Sequence, residues 1–451
     1  MTTSDVRRRP SHAYVWIWLP GADDPVVAGR LTDRGPEVTF TYGQSYLARP
    51  NAIALSLPEL PLGRGELSPH SGDIAGCVAD AGPDAWGRRV IEHRRMIEPG
   101  GLSTLGYLLE SGSDRIGALD IQPAADGYVP RIGGAAPLEE LAEATRRVEE
   151  GLPLSDELHR ALVHGSSAGG ARPKVLVTAG ESRYIAKFPS LADADPIVQA
   201  EYVAMDLARL AGVSAAPVAI TRVARTHVLL VERFDRTPEG HRRLMHSALT
   251  LLGLHDADGI AGRYGTYPDL ATEIRSRFAN PTATLRELFA RITFNILVGN
   301  TDDHPRNHAA FWDGTALTIT PAYDICPQPR LGGEAAQAMA YGPNGDRLSQ
   351  VTRCIAHAPT YRLNTAEATA IVDHQIDAIR NEWHAACDRA ELTDHQRQRL
   401  WGRQFLNPYA LYEHTANPNL RRVPEATPRT RRRSRRADGG DEGDRRLLKP
   451  W

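Results

Sequence analysis

The chain has few cysteines, no long apolar segment and no excess of charge of either sign. Its four cysteines are far apart and form no Cys-x-x-Cys pair, so neither a disulfide framework nor a zinc site is suggested. No apolar run approaches the roughly 18 residues of a membrane span, and no signal-peptide segment follows the basic residues near the N-terminus. A net charge of −2 requires no particular partner. These absences favour a cytoplasmic protein without a membrane partner.

The chain is long enough for two or three domains, and its charge is unevenly distributed. Its 451 residues are 41% hydrophobic and 24% charged, which is ordinary for a soluble globular protein. Six arginines fall within residues 429–436, so the preceding part is acidic. Proline, arginine, glycine and aspartate dominate from residue 424 onward. We therefore predict a disordered Arg-rich tail at 424–451 and a disordered N-terminus at 1–12.

The first part of the chain has the pattern of a small α+β unit. Three β-rich runs separated by proline, glycine and aspartate occur at 13–19, 26–29 and 37–41. Helical patterns follow at 83–97 and 102–110, and residues 114–120 have the pattern of a strand. We predict an N-terminal subdomain over residues 13–125, close to the commonest domain size.

The rest of the chain has the order of a two-lobed kinase. A helix is predicted at 137–150, followed by a strand-rich stretch at 174–234 that contains one helix at 196–212. Beyond residue 240 the pattern is mainly helical, with segments at 246–254, 269–279, 284–299, 364–388 and 394–413. We predict an α/β (α+β) protein-kinase-like fold, with a nucleotide-binding region at 137–240 and a helical catalytic lobe at 241–415.

The most informative motif contains Asp302 and, five positions later, Asn307. Kinase-type phosphoryl transfer needs a carboxylate to accept the hydroxyl proton, and an asparagine and a second carboxylate to hold Mg²⁺. Residues 309–320 resemble a hairpin that would bring Asp324 to the same cleft. The acidic and amide groups of this loop are costly to leave unpaired, and a cation would relieve that cost. A plain surface loop is the alternative, because asparagine, threonine and aspartate favour turns.

A turn rich in glycine and serine, at 164–174, precedes a predicted strand. Its glycines would let backbone N–H groups approach phosphate oxygens, and the hydroxyls of Ser166 and Ser167 add donors. The turn matches neither the Walker A motif nor Gly-x-Gly-x-x-Gly, so by itself it is more often structural.

A lysine and a hinge segment complete the predicted nucleotide site. Lys187 ends a strand similar to the Val-Ala-Ile-Lys strand of kinases, and Glu201 on the next helix is its candidate partner. A lysine snorkelling from a strand edge is the alternative. Glu232 and Phe234 end the strand where the hinge of a two-lobed kinase binds adenine through backbone groups.

On these motifs the sequence resembles the HipA family of serine/threonine kinases, the toxins of bacterial type II toxin–antitoxin pairs. The similarity extends from about residue 13 to about residue 413. The matching segments are 55–58, 81–89, 113–119, 167–174, 185–188, 231–236, 300–307 and 320–324.

The resemblance implies roles at the matched positions. Asp302 would be the catalytic base, Asn307 and Asp324 would bind Mg²⁺, and His304 and Lys187 would contact ATP. Ser167, or the adjacent Ser166, would be autophosphorylated, which switches the kinase off. The turn covering the ATP phosphates would comprise Ala168, Gly169, Gly170, Ala171, Arg172 and Lys174.

The resemblance also implies partners. Known substrates in the family are aminoacyl-tRNA synthetases, and the usual partner is a HipB-like helix-turn-helix antitoxin through which DNA is bound indirectly. The residues themselves are also compatible with two other functions. The chain could be a non-catalytic subunit of a DNA-bound repressor complex, with the arginines of 429–436 on phosphates, or a kinase for a small molecule.

Overall fold

The structure, a computed structural model, covers most of the chain between residues 9 and 414. The residues it describes are 9–134, 136–167, 169–180, 182–193, 196–255, 265–330 and 333–414. The predicted Arg-rich tail and the first eight residues lie outside them. Arg9 forms an ion pair with Asp33 at 2.6 Å, and His12 begins the first strand.

The N-terminal part is a five-stranded sheet covered by short helices. Its strands are β1 (His12–Ile17), β2 (Val26–Asp33), β3 (Val38–Tyr42), β4 (Glu66–Leu67) and β5 (Leu119–Gln122), in the order β4-β3-β2-β1-β5. Its helices are α1 (Gln44–Leu47), α2 (Gly76–Asp80), α3 (Ala85–Arg95) and α4 (Thr104–Glu110). The first three strands form the predicted meander. The strand predicted at 114–120 begins only at Leu119, because Gly117 has a φ of +81° and turns the chain before it.

The second part is a four-stranded antiparallel sheet with three helices. Its elements are α5 (Leu138–Glu149), α6 (Asp156–His164), β6 (Lys174–Ala179), β7 (Ser182–Lys187), α7 (Ile197–Leu210), β8 (Val218–Val223) and β9 (Thr226–Glu232). The strand order is β6-β7-β9-β8. Helix α6 was not predicted, although Ser155 caps it by accepting a hydrogen bond from the Leu158 N–H at 3.3 Å.

The third part is mainly helical. Its elements are β10 (Met245–Ser247), α8 (Ala248–Leu251), α9 (Tyr267–Arg277), α10 (Pro281–Val298), β11 (Ala309–Trp312), β12 (Leu317–Ile319), α11 (Val351–Ala356), α12 (Thr365–Arg389) and α13 (Asp394–Leu400). The helix predicted at 246–254 is wrong at its start, where β10 pairs with β11 of the hairpin. The helix predicted at 394–413 ends at Leu400, because Trp401 is extended and Gly402 has a φ of +70°.

Helix α3 of the N-terminal part shares a hydrophobic core with the second sheet. Trp86 and Val90 of α3 are buried with Val175 of β6 and Leu230 of β9. The same two parts are also joined by buried charges. Asp235 accepts a hydrogen bond from the Gly117 N–H at 2.7 Å, and Nη2 of Arg236 lies 2.7 Å from Oδ1 of Asp114. These contacts fix the N-terminal part against the end of β9.

Together the second and third parts form a two-lobed, protein-kinase-like α+β architecture, as the sequence predicted. The four-stranded sheet with α7 is the smaller lobe, and the helices around α10 form the larger one. Within the described part of the chain, no helix is both long and apolar enough to cross a membrane.

Candidate active site

A loop at the end of helix α10 carries the predicted catalytic residues. The helix ends at Gly299, which has a φ of +71° and lies so close to residue 404 that a Cβ would be 2.8 Å from that residue's carbonyl oxygen. Asp302 is exposed to solvent beyond this turn. Asn307 is 7% exposed, and its side-chain amide donates to the carbonyl oxygen of Asp302 at 3.4 Å. The loop therefore fixes Asn307 against the backbone that presents Asp302.

Asp303, next to Asp302, points into the protein, where hydrogen-bond donors stabilise its ionised carboxylate. Its Oδ2 accepts hydrogen bonds from the Tyr267 hydroxyl, from Nδ2 of Asn295 at 2.7 Å and from Nε2 of His308 at 3.0 Å. Burial alone would raise the pKa of Asp303, but His308 and Tyr267 hold this pKa below its usual value. The protein itself, rather than a cation, relieves the cost of burying this carboxylate.

The predicted hairpin brings Asp324 to Lys187. The ammonium group of Lys187 lies 2.5 Å from Oε1 of Glu201 and 2.5 Å from Oδ1 of Asp324. The side chains of Lys187 and Glu201 are 13% and 3% exposed, whereas that of Asp324 is 42% exposed. Burial favours the neutral form of Lys187, but Asp324 and Glu201 raise its pKa above the ordinary value. The lysine is therefore a fixed positive charge at the edge of the cleft.

Negative charge in the cleft is only partly compensated. The pKa of Asp302 is raised, first by desolvation and then by Asp324 and Asp303, although His304 and Arg172 act in the opposite direction. Nδ1 of His304 is buried and has no hydrogen-bond partner in the part of the chain that the structure describes. An aspartate with a raised pKa and a histidine nitrogen without a partner are features expected of a site that binds a polar ligand.

The Gly-rich turn lies over this cleft. Gly169 and Gly170 have φ values of +74° and +90°, which glycine adopts without strain. Lys174 is buried and donates to the carbonyl oxygen of Gly169. Burial and Lys187 lower the pKa of Lys174 to about 8. Ala168 lies outside the described residues.

The other end of the turn reaches the segment after Asp324. Nη2 of Arg172 lies 3.2 Å from Asp193, and its Nη1 donates to Sγ of Cys326 at 3.5 Å. Ala171, next to it, is exposed. Arg172 therefore links the turn to the loop that carries Asp324.

Both candidate serines are buried under the turn. Oγ of Ser166 donates to the Val163 carbonyl oxygen at 2.7 Å. Oγ of Ser167 accepts from Nη1 of Arg115 at 3.5 Å. Arg115 is itself fully buried and ion-paired with Asp120 at 2.7 Å, so Ser167 contacts the N-terminal part of the protein.

Glu232 is the last residue of β9, and Phe234 follows two residues later. The two residues have different neighbours. Glu232 pairs in register with Tyr184 of β7. The ring of Phe234 lies 5.6 Å from that of Tyr323, next to Asp324. Phe234 thus packs on the Asp324 loop.

The sequence reasoning missed the contribution of helix α3. Asp84 accepts a hydrogen bond from the Gly170 N–H at 2.6 Å, and Nε1 of Trp86 donates to the Lys174 carbonyl oxygen at 3.0 Å. Residues 81–89 carry part of the family resemblance, but an aspartate before a helix is ordinarily assigned to capping. The position of Asp84 in the sequence therefore gave no reason to place this residue at the site.

The fold and the arrangement of these side chains define a protein of the two-lobed kinase class. Two family sequence models match the chain: "HipA N-terminal domain" at residues 18–122 and "HipA-like C-terminal domain" at residues 166–383. Together they cover more than half of the chain, which therefore belongs to the HipA family, as its motifs indicated.

The relatives are named as kinases. Y4mE of Sinorhizobium fredii, named only provisionally as a kinase, is 26% identical over 338 residues, 68% of this chain and 76% of its own length. The serine/threonine-protein kinase toxin HipA of Shewanella oneidensis is 28% identical over 141 residues, 28% of this chain and 33% of its own length. These similarities support kinase activity at the level of the family.

A solved structure has the same fold. It is that of the Shewanella oneidensis MR-1 toxin–antitoxin system of HipA, HipB and operator DNA. The matched chain superposes with a TM-score of 0.64 at 19% identity, over 88% of this chain and 99% of that chain.

Proposed function

We propose that this chain is an ATP- and Mg²⁺-dependent protein serine/threonine kinase of the HipA toxin type. The observation that carries the proposal is the contact of Lys187 with both Glu201 and Asp324, at the cleft that Asp302 also faces. A kinase needs this lysine–glutamate pair and the metal-binding aspartate in place at the same time.

Each polar group of the cleft has a role in this proposal. Asp302 accepts the proton of the substrate hydroxyl, and its raised pKa makes it a better base than an ordinary aspartate. Lys187 and the N–H groups of the Gly-rich turn bind phosphate oxygens, and His304 offers its unpartnered ring nitrogen. The hinge residues Glu232 and Phe234 border the adenine.

The site also fits a magnesium ion. Carboxylate and amide oxygens, as in Asp324 and Asn307, are ligand types that Mg²⁺ takes together with nucleotide phosphates. The described residues include no cluster of three histidine, cysteine or acidic side chains suited to a metal, so the ion would depend on this pair and the nucleotide. Mg²⁺ supplies charge neutralisation for the transferred phosphoryl group.

Autophosphorylation would require the Gly-rich turn to move. Ser167 is 1% exposed and Ser166 is 2% exposed, so neither hydroxyl can reach the cleft while the turn is packed as described. We propose Ser167 as the modified residue, because Ser166 donates to its own helix end whereas Ser167 contacts Arg115. Phosphate on Ser167 would add negative charge beside Arg115, which is already ion-paired with Asp120.

Domains, partners and location follow as proposals from the family. We infer an N-terminal subdomain at 13–125, a nucleotide-binding region at 137–240 and a helical lobe at 241–415. We further infer a cytoplasmic protein that binds a HipB-like antitoxin and, through it, DNA. The name of the solved HipA–HipB–DNA complex supports this assembly. An aminoacyl-tRNA synthetase is the substrate to test first.

The test is incubation of the purified protein with labelled ATP and Mg²⁺, followed by mass mapping of the phosphate. We expect label on Ser167 that disappears in Asp302→Asn and on addition of EDTA. Asp313→Asn is the matched control, because Asp313 is exposed at the turn of the hairpin and asparagine can keep its contacts to the Thr315 and Ala316 N–H groups. No labelling together with no ATP binding would contradict the proposal.

A further inference from the structure

The N-terminus of helix α3 lies between two loops of the candidate active site. Oδ2 of Asp84 accepts the Gly170 N–H at 2.6 Å, and Oδ1 of the same carboxylate lies 3.5 Å from Nη1 of Arg306. Gly170 belongs to the Gly-rich turn, and Arg306 directly precedes Asn307. One carboxylate from the N-terminal part therefore contacts both the turn that would cover the phosphates and the loop that carries the base.

This carboxylate makes no hydrogen bond to its own helix. Asp84 occupies the N-cap position of α3, where an aspartate ordinarily accepts a hydrogen bond from an N–H of the first turn. The structure has no such bond from its side chain. Because a hydrogen bond to an ionised acceptor is about twice as strong as a neutral one, the bond to Gly170 is a substantial restraint on the turn.

Two neighbours of Asp84 in helix α3 also contact the Gly-rich turn. The Trp86 N–H donates to the Gly170 carbonyl oxygen at 3.3 Å, so Gly170 is held by both of its backbone groups. A Cβ on Gly87 would overlap the carbonyl oxygen of Ser166. A glycine inside a helix usually costs about 1 kcal/mol relative to alanine, and here it allows the helix to approach the turn closely.

From these contacts we propose that Asp84 is a positioning residue for the nucleotide: it holds the Gly-rich turn against the catalytic loop, so that the N-terminal part completes the phosphate site. This inference rests on the proposed kinase function. Asp84 acts through the backbone of Gly170 and the guanidinium of Arg306, and its carboxylate makes no hydrogen bond or ion pair with Asp302, Asn307 or Asp324 in the described part of the chain. Its loss weakens ATP binding and leaves the chemical step intact.

Three variants separate the contacts of this region. Asp84→Asn keeps an acceptor for the Gly170 N–H but removes the charge that faces Arg306. Asp84→Ala removes both contacts, and Gly87→Ala keeps the carboxylate but displaces the Ser166 carbonyl. Asp126→Ala is the matched control, since Asp126 is exposed in the same N-terminal part.

Two measurements decide the matter: hydrogen exchange of the peptide spanning 165–174 without nucleotide, and ATP binding together with KM and kcat. In Asp84→Ala we expect faster exchange of this peptide and a Kd and KM for ATP about tenfold higher, with kcat within about twofold of wild type. Asp84→Asn should show a smaller rise, and Asp126→Ala should match wild type. If Asp84→Ala does not fold, Asp84→Asn carries the test, because it fills the same space and loses the charge that faces Arg306.

The outcomes distinguish this inference from the function on which it rests. Wild-type protein that fails to bind ATP would overturn both. Wild-type binding that Asp84→Ala or Asp84→Asn leaves unchanged, with unchanged exchange in the turn, would overturn the role of Asp84 alone. A fall in kcat at constant KM would also overturn it, because the residue would then act on the chemical step.

Discussion

Two adjacent carboxylates, Asp302 and Asp303, should respond oppositely to the same substitution. Asp303 is 2% exposed and accepts hydrogen bonds from Tyr267, Asn295 and His308. Replacing it by alanine leaves three donors without an acceptor in the core. Removing one partner of a buried ionic contact costs about 3–5 kcal/mol, which is a large part of the roughly 5–15 kcal/mol that stabilises a domain.

Asp302→Ala should leave stability almost unchanged. Desolvation, followed by Asp324 and Asp303, raises the pKa of Asp302, so the native fold gains little from the charge of this solvent-exposed side chain. We expect a change within about 0.5 kcal/mol. Phosphate transfer should nevertheless be lost in Asp302→Ala, whereas any folded fraction of Asp303→Ala should keep some activity.

The assay is guanidinium unfolding of wild type and both variants at pH 7 and at lower pH. The pKa of Asp303 in the fold lies below its usual value of 3.8, so its ionised form stabilises the protein fully above that pH. The advantage of wild type over Asp303→Ala should stay constant from neutral pH to about pH 4 and shrink below it. Equal unfolding free energies for the two variants at pH 7 would refute the reasoning.

Four further substitutions test the buried ionisable groups. Lys187→Met should abolish phosphate transfer and lower the free energy of unfolding by about 3 kcal/mol, because Glu201 loses its cation. Adding Glu201→Gln should restore stability but not activity. A double variant that stays unstable would contradict the pairing. Burial lowers the pKa of His246 to about 4, so the folded protein disfavours the protonated imidazole. The free energy of unfolding of wild type should therefore fall by about 3 kcal/mol from this residue between pH 6.5 and pH 4, and His246→Gln should lack this fall. Asp235→Ala leaves Arg233 and Arg236 with Asp114 as their remaining acidic partner and removes the acceptor of the Gly117 N–H. It should expose the junction near residue 117 to limited proteolysis, whereas an unchanged digestion pattern would argue against a joining role.

Local patterns predicted much of the fold because the relevant signals are short-range. Glycine at 212 and proline at 196 mark the ends of α7, and alternating apolar residues mark the strands of both sheets. The hairpin of β11 and β12 follows from its turn at Asp313-Gly314. The spacing of lysine, glutamate and aspartate along these elements also suggested that Lys187 and Glu201 would meet.

Long-range contacts could not be predicted in this way. Nothing in the loop after α10 indicates which of its aspartates faces the solvent, since a loop has no periodicity to divide its sides. Asp84 is 86 residues from the Gly170 N–H that it binds, and Arg115 is 52 residues from Ser167. Such contacts depend on how the parts pack, which a single sequence does not encode locally.

The backbone of Asp324 restricts which residues can replace it during evolution. Its φ of +58° lies in the left-handed region, which glycine, asparagine and aspartate enter at the least cost. Alanine at this position would change backbone and charge together, so asparagine is the cleaner inactivating substitution. Under the proposed function, a descendant of this chain that loses catalysis should first acquire asparagine or glycine here. Either residue keeps the left-handed backbone of this position, so the loop can retain its path after the carboxylate is lost.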